Sequence, residues 1–255
     1  MTNEEIWRVA LEQSARDCGC APEDFLAREN RIVLSQKWEG ARSYLPLPFA
    51  CDLVSYGGNI VAQVSPELRD TVEWYIGKYA AVHCFETPNV IALNERLARF
   101  GCKVCFMAEY FLPDADALRP LPCPFELRLL QPEEFAPYYT EQWSNALSRS
   151  RRHLDVLAVG AFDGETLVGL AGCSADCETM VQIGVDVLPE YRRRGVASAV
   201  TSALAAEALK RGKVPFYCAA WSNVGSVRNA IRAGFRPAWV ELTARESAFV
   251  DAMNA

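Results

Sequence analysis

Hydrophobic and polar residues recur along this chain with a period that changes, and each change marks an element. Ile6, Val9 or Ala10, and Leu11 return at helical spacing and predict a helix from Asn3 to Asp17, with a second short helix starting at Pro22. A Gly57-Gly58 turn precedes the alternating stretch 59–64, and a helix is expected over about 67–79. AVHCFE (81–86) reads as a buried strand. Residues 88–101 read as a helix with proline at its start and Gly101 after its end, and 103–112 as a further strand.

The second half shows a sharper pattern. FELRLL (125–130) is a strand, and 132–149 reads as helical apart from Pro137. Strands at 156–162 and 166–174 are joined by Asp163-Gly164, a hairpin signal, and 180–187 is a third strand. Ala197 to Arg211 is an Ala-rich helix closed by Gly212, and 214–220 is a strand. Val224 to Ala233 is a helix with Asn223 and Gly234 as caps, and 237–242 is the final strand. This order predicts a mixed α/β fold, a central mixed sheet flanked by helices. Between the halves, PDADALRPLPCP (113–124) holds four prolines in twelve residues and continues neither neighbour. It sets the expected division: 1–118, a linker at 119–124, and 125–255.

Composition narrows the function. The 255 residues are about half apolar and carry a net charge of −6. No apolar stretch is long enough to cross a bilayer, and the acidic start MTNEEIW is not a signal peptide. Ten cysteines without an export signal read as reduced core thiols, so a cytoplasmic location is expected. Cys102-x-x-Cys105 has no second pair at zinc spacing and sits in an apolar run, which reads as strand core, so no metal is expected. Charge is uneven: residues 191–236 hold nine Arg or Lys and one acid, Glu207. An acidic protein with one basic cluster excludes nucleic acid as the main partner and suits a small anionic ligand, though a solvated helix face has the same composition.

The segment VDVLPEYRRRGVAS (185–198) gives the cluster a purpose. A strand ends at Val187, a proline-bearing turn follows, and a helix opens near Val196. The first N–H groups of a helix lack partners, and the aligned peptide dipoles add positive charge there. Arg193 to Ala197 therefore reads as an anion cradle in which Gly195 allows close approach, or as a plain strand–helix connection with basic surface residues.

Arg192-Arg193-Arg194-Gly195-Val196-Ala197 resembles the Arg/Gln-x-x-Gly-x-Gly/Ala signature of the GNAT superfamily of N-acetyltransferases, and NVGSVRNAIRAGF (223–235) is similar to its second motif. The resemblance covers 125–243 and implies a GNAT-type acyl-CoA N-acyltransferase fold. It implies acetyl-CoA as co-substrate, a small amine or peptide acceptor and no membrane partner. Val185, Asp186 and Val187 would then line the pantetheine arm. Arg192, Arg193, Arg194, Gly195, Val196, Ala197 and Ser198 would hold the pyrophosphate, with Asn223 and Ser226 beside the thiol end. Asn223 is equally a competent helix cap.

Two departures from the family stand out. Its tyrosine acid is replaced by Ala230, which leaves Tyr217 as a substitute acid or as a half-buried strand aromatic. The family's base position is Val181, which leaves Glu178 or Asp186 as candidate bases, with Cys218 to be checked as a nucleophile. A CoA-binding protein without turnover is the alternative. A nucleotide-phosphate binder ranks last, because no Gly-x-Gly-x-x-Gly or Gly-Lys-Ser/Thr pattern is present.

Residues 58–104 echo 181–239, sharing V-x-P-E-x-Arg at 64–69 and 187–192. Proline to closing glycine takes 35 residues in the first copy and 45 in the second. The N-terminal part thus reads as a smaller, degenerate GNAT-like half that has lost its phosphate cradle, as in tandem members of the superfamily. Trp38, Tyr44, Tyr56 and Trp74 read as core aromatics or as a pocket lining. A monomer and a homodimer both stay open.

Overall fold

A computed structural model describes residues 1–255. Its strands are β1 (Arg31–Leu34), β2 (Cys51–Ser55), β3 (Val61–Val64), β4 (Cys102–Pro113), β5 (Glu126–Leu130), β6 (Asp155–Asp163), β7 (Thr166–Ser174), β8 (Met180–Val187), β9 (Val214–Ala219) and β10 (Phe235–Glu246). Its helices are α1 (Asn3–Cys18), α2 (Arg69–Lys78), α3 (Thr87–Leu97), α4 (Pro132–Phe135), α5 (Val196–Lys210), α6 (Val224–Arg232) and α7 (Ser247–Met253). The fold is mixed α/β, with mixed sheet strands flanked by helices. The chain forms two compact units: Met1–Ala10 with Phe111–Pro237, and Leu11–Tyr110 with Ala238–Ala255.

In the first unit the strand order is β9-β8-β7-β6-β5. The hairpin at Asp163-Gly164 forms, with Gly164 at φ 60°. Strands β5 to β8 pair antiparallel, and β9 joins β8 in parallel. Side chains alternate across the pleat, so the sheet has a core on each face. Leu157, Val159, Ala171, Cys173, Val181 and Ile183 pack under α5 with Val196, Val200 and Leu204. Ala158 and Leu170 pack on the other face against Phe135, Trp143, Ala146 and Leu147.

The expected helix over 132–149 is not there. Only α4 forms, followed by short 3-10 turns at Ala136–Tyr138 and Glu141–Trp143. Two carboxylates on the sheet take backbone donors a helix would need: Asp186 of β8 accepts from the N–H of Asn145 and of Ala146, and Asp155 at the start of β6 from that of Ser148. This is a tertiary override of local preference.

In the second unit β1-β3-β2-β10-β4 are neighbours in that order. Strand β1 runs parallel to β3, and β2 pairs antiparallel with both β3 and β10. The expected strand at 81–86 is a 3-10 turn at Ala81–His83 instead. Cys84 and Phe85 are buried there as a plug, and the Tyr75 hydroxyl donates to the Cys84 carbonyl at 2.6 Å. Strands β1 and β2 and helix α7 were not read from the sequence. Each V-x-P-E segment has the same local form, a strand, a 3-10 turn and a helix. The helix follows at once at Arg69 in the first copy, and after Arg192–Gly195 in the second.

Candidate functional site

The approach of α5 to β7 sets the site. A Cβ on Gly169 would lie 2.4 Å from Val196 Cγ1, so only glycine lets the first turn of α5 sit down on the sheet. Ahead of that turn the backbone is left-handed twice, at Arg193 (φ 61°) and Gly195 (φ 83°). For a non-glycine residue that conformation is uncommon, and Arg193 marks the loop as locally constrained. The first α5 hydrogen bond runs from the Ala199 N–H to the Gly195 carbonyl at 3.1 Å. The N–H groups of Val196, Ala197 and Ser198 therefore have no helical acceptor. The Ser198 hydroxyl is engaged elsewhere, donating to Asn229 Oδ1 at 3.0 Å, so toward a ligand this residue offers its N–H.

An open cleft of about 550 Å³ lies against the loop, lined by Pro122, Cys123, Pro124, Arg193, Arg194, Gly195 and Arg232. Arg194 is stacked over Phe125 at 4.5 Å and over Tyr191 at 5.7 Å, which fixes its guanidinium beside the cleft. Arg192 turns back, its Nε donating to the Val187 carbonyl at 3.0 Å. The proline-rich wall and Arg232 were missed in the sequence. A linker's residues give no periodic signal, and Arg232, though inside the second motif and the basic cluster, occupies a position to which the motif gives no role.

The second feature is an opening between two strands. The β8–β9 ladder runs from Met180 opposite Val214 to Ile183 opposite Tyr217 and stops. Both strands continue, β8 through Gly184, Val185, Asp186 and Val187, and β9 through Cys218 and Ala219. Beside the last pair, the Tyr217 and Ser226 hydroxyls share a hydrogen bond of 2.7 Å, and burial raises the Tyr217 pKa. Asn223 caps α6, its Oδ1 accepting from the Ser226 N–H at 3.1 Å, and its exposed side chain lies beside the same residues.

The basic loop, the unpaired helix start and the opened strand pair lie within one sequence segment. The profile described as GNAT acetyltransferase matches residues 117–238. Residues 117–238 belong to the GNAT acetyltransferase family. No curated protein matches the sequence. Among solved structures, the chain is similar to a putative GNAT-family acetyltransferase from Novosphingobium aromaticivorans (22% identity, TM-score 0.43, covering 56% of this chain and 66% of that one). It is also similar to a GCN5-related N-acetyltransferase-like protein from Streptococcus suis (22% identity, TM-score 0.44, covering 61% and 67%). A tandem GNAT protein from the clavulanic acid biosynthesis pathway is similar at 17% identity and TM-score 0.43, covering 64% and 59%. The chain spans about two thirds of the length of the first two.

Within the GNAT segment the candidate acid–base groups separate. Glu178 is exposed and precedes β8, six positions before Gly184, roughly 20 Å along an extended strand. The fold does not bring it to the opening. Asp186 is there, but its carboxylate is occupied. Oδ2 accepts from the N–H of Asn145 and of Ala146, both at 2.9 Å, and Oδ1 from Asn145 Nδ2 at 2.7 Å. These bonds clamp the loop at 144–148 onto a glycine floor. Gly172 and Gly184 face each other in the β7–β8 ladder; a Cβ on the first would lie 2.2 Å from the Ala146 carbonyl oxygen, and on the second 1.8 Å from that of Asn145. The paired glycines were the available sequence signal for this loop, since two glycines opposite each other in a sheet mark a close backbone approach. Val181 and Ala230, at the family's base and acid positions, are both buried and carry no titratable group.

Proposed function

We propose that residues 125–255 form an acetyl-CoA-dependent N-acetyltransferase, with 119–124 as a linker and 1–118 as a degenerate GNAT-like domain. The division concerns the ancestry of the sequence. The observation that supports the activity most is the unpaired start of α5 behind a left-handed Gly195, placed at the end of a strand pair that has opened.

In this reading the N–H groups around Gly195, Val196, Ala197 and Ser198 receive the diphosphate of CoA, with Arg193 and Arg194 beside it. The pantetheine arm lies along Val185 to Val187 and brings the thioester near Tyr217, Asn223 and Ser226. The acceptor loses one proton to become a neutral amine. Its nitrogen attacks the thioester carbonyl, the C–N bond forms, and the C–S bond breaks. The second amine proton is lost as the amide forms, and the thiolate takes one, so one proton is released per turnover. Tyr217 is the proposed donor to the thiolate. Burial keeps its proton on at neutral pH, the state an acid needs. Asp186 is a positioning residue in this scheme, because its lone pairs are committed to the loop, and water takes the amine's proton. Alignment of the two reactants then supplies much of the rate.

Buried Val181 and Ala230 favour the second reading, a CoA-binding protein without turnover. Thiol release from acetyl-CoA in the presence of a panel of amines separates the two. Release that depends on an added amine supports the enzyme. CoA binding with no amine-dependent release supports the binding protein.

A further inference from the structure

The loop clamped by Asp186 roofs a pocket of about 170 Å³, lined by Asn145, Ser148, Arg151, Asp155, Ser174 and Gln182 among others. Its floor is a row across three strands. Asp155 of β6 pairs with Ser174 of β7, which pairs with Gln182 of β8. Gln182 in turn donates through Nε2 to Cys218 Sγ at 3.2 Å, one residue past the point where the β8–β9 ladder opens. The row therefore leads from Asp155 to the opening over two strand spacings, roughly 10 Å.

The chemistry of the row is unusual for a core. Asp155 is 4% exposed, and both its donors, the Tyr139 hydroxyl at 3.0 Å and the Ser148 N–H at 2.8 Å, fall on Oδ2. The Ser174 hydroxyl is more than nine-tenths buried, lines the pocket and has no hydrogen-bond partner. A buried polar group without a partner costs about 1–3 kcal/mol, which a ligand contact would remove. Arg151 is ion-paired with Asp176, itself buried, so Asp155 is left as the net charge of the trio. Burial raises the Asp155 pKa, and a cation beside it would hold it ionised.

We propose that this pocket is the acceptor site and that it selects a linear diamine, with Asp155 and Ser174 receiving the distal ammonium while the other nitrogen lies beyond Gln182 at the strand opening. The assignment rests on the acyltransferase reading for the fate of that second nitrogen, but the selection of a dication rests on the pocket alone.

Calorimetry with hexamethylenediamine and hexylamine, on protein saturated with CoA, tests it. The diamine should bind at least about tenfold more tightly than the monoamine. Asp155→Asn should abolish that preference, and Ser174→Ala should weaken the diamine severalfold while Tm rises slightly, because the unpartnered hydroxyl is gone. CoA affinity should stay the same in both variants. Should Asp155→Asn fail to fold, Ser174→Ala decides, since its hydroxyl holds nothing in the protein. Equal affinity for the two amines, no diamine binding, or tighter binding of an amino acid through Arg151 overturns the inference and leaves the cofactor site standing. Absence of CoA binding in the wild type overturns the acyltransferase reading instead, and the amine preference of the cofactor-free protein then decides the pocket by itself.

Discussion

Replacing Gly184 by alanine tests whether the loop at 144–148 is held as tightly as the packing requires. The new Cβ would meet the Asn145 carbonyl oxygen at 1.8 Å and its carbon at 2.8 Å. To restore ordinary contact near 3.4 Å the carbonyl must recede by about 1.6 Å. The three hydrogen bonds to Asp186, at 2.7 to 2.9 Å, cannot survive a movement of that size. Hydrogen bonds to a charged group contribute about 1.5–3 kcal/mol each, and water recovers part of that where the loop is exposed, so a net loss of roughly 3 kcal/mol is expected. For a chain of this size that lowers Tm by several degrees. Gly77→Ala is the control: it lies in α2, nothing stands within 4 Å of its added Cβ, and it should be neutral or stabilise by up to about 1 kcal/mol. Differential scanning calorimetry reads both. A Gly184→Ala protein as stable as the control, with unchanged amine binding, would refute the clamp.

Two further outcomes follow from other parts of the molecule. Tyr217→Phe should lower amine-dependent thiol release by roughly 10²-fold at unchanged CoA affinity, whereas an unchanged rate would assign the proton to water. Glu241 sits fully buried in the second unit with Arg42, Asp17, Asp52 and Tyr110, and burial pushes its pKa from 4.5 to about 7. A raised carboxyl pKa means the native state holds the proton more tightly, so this contribution is full below pH 4.5 and is lost as pH rises through 7. The loss is on the order of 3 kcal/mol, and Glu241→Gln should flatten the fall in Tm across that window; parallel profiles for the two proteins would contradict the assignment.

Where the sequence was informative, the signal was local. The β8 strand, the basic turn and the start of α5 follow one another without a break, so spacing alone places the turn and its glycine. The β6–β7 hairpin is equally local. The misread segments are those in which distant groups decide. Residues 145–148 have helical composition, but the N–H groups of Asn145, Ala146 and Ser148 go to Asp186 and Asp155, and only that of Leu147 keeps a helical acceptor, the Trp143 carbonyl. Strand β2 pairs on one side with β3 and on the other with β10, where Leu53 lies opposite Leu242 from the far half of the chain. The polar row Asp155–Ser174–Gln182 exists only in the strand register, which no single segment encodes. His83 shows the same limit: an apolar run around it suggests a strand, yet the run closes a turn and its imidazole meets Glu86 at the surface.

The central claim concerns main-chain donors at Gly195, and isothermal calorimetry with CoA measures it most directly. The wild type should bind, and Gly195→Glu, which strains a left-handed backbone and sets a carboxylate among those donors, should weaken binding by on the order of a hundredfold. No affinity in the wild type, or equal affinity in the variant, would contradict the account.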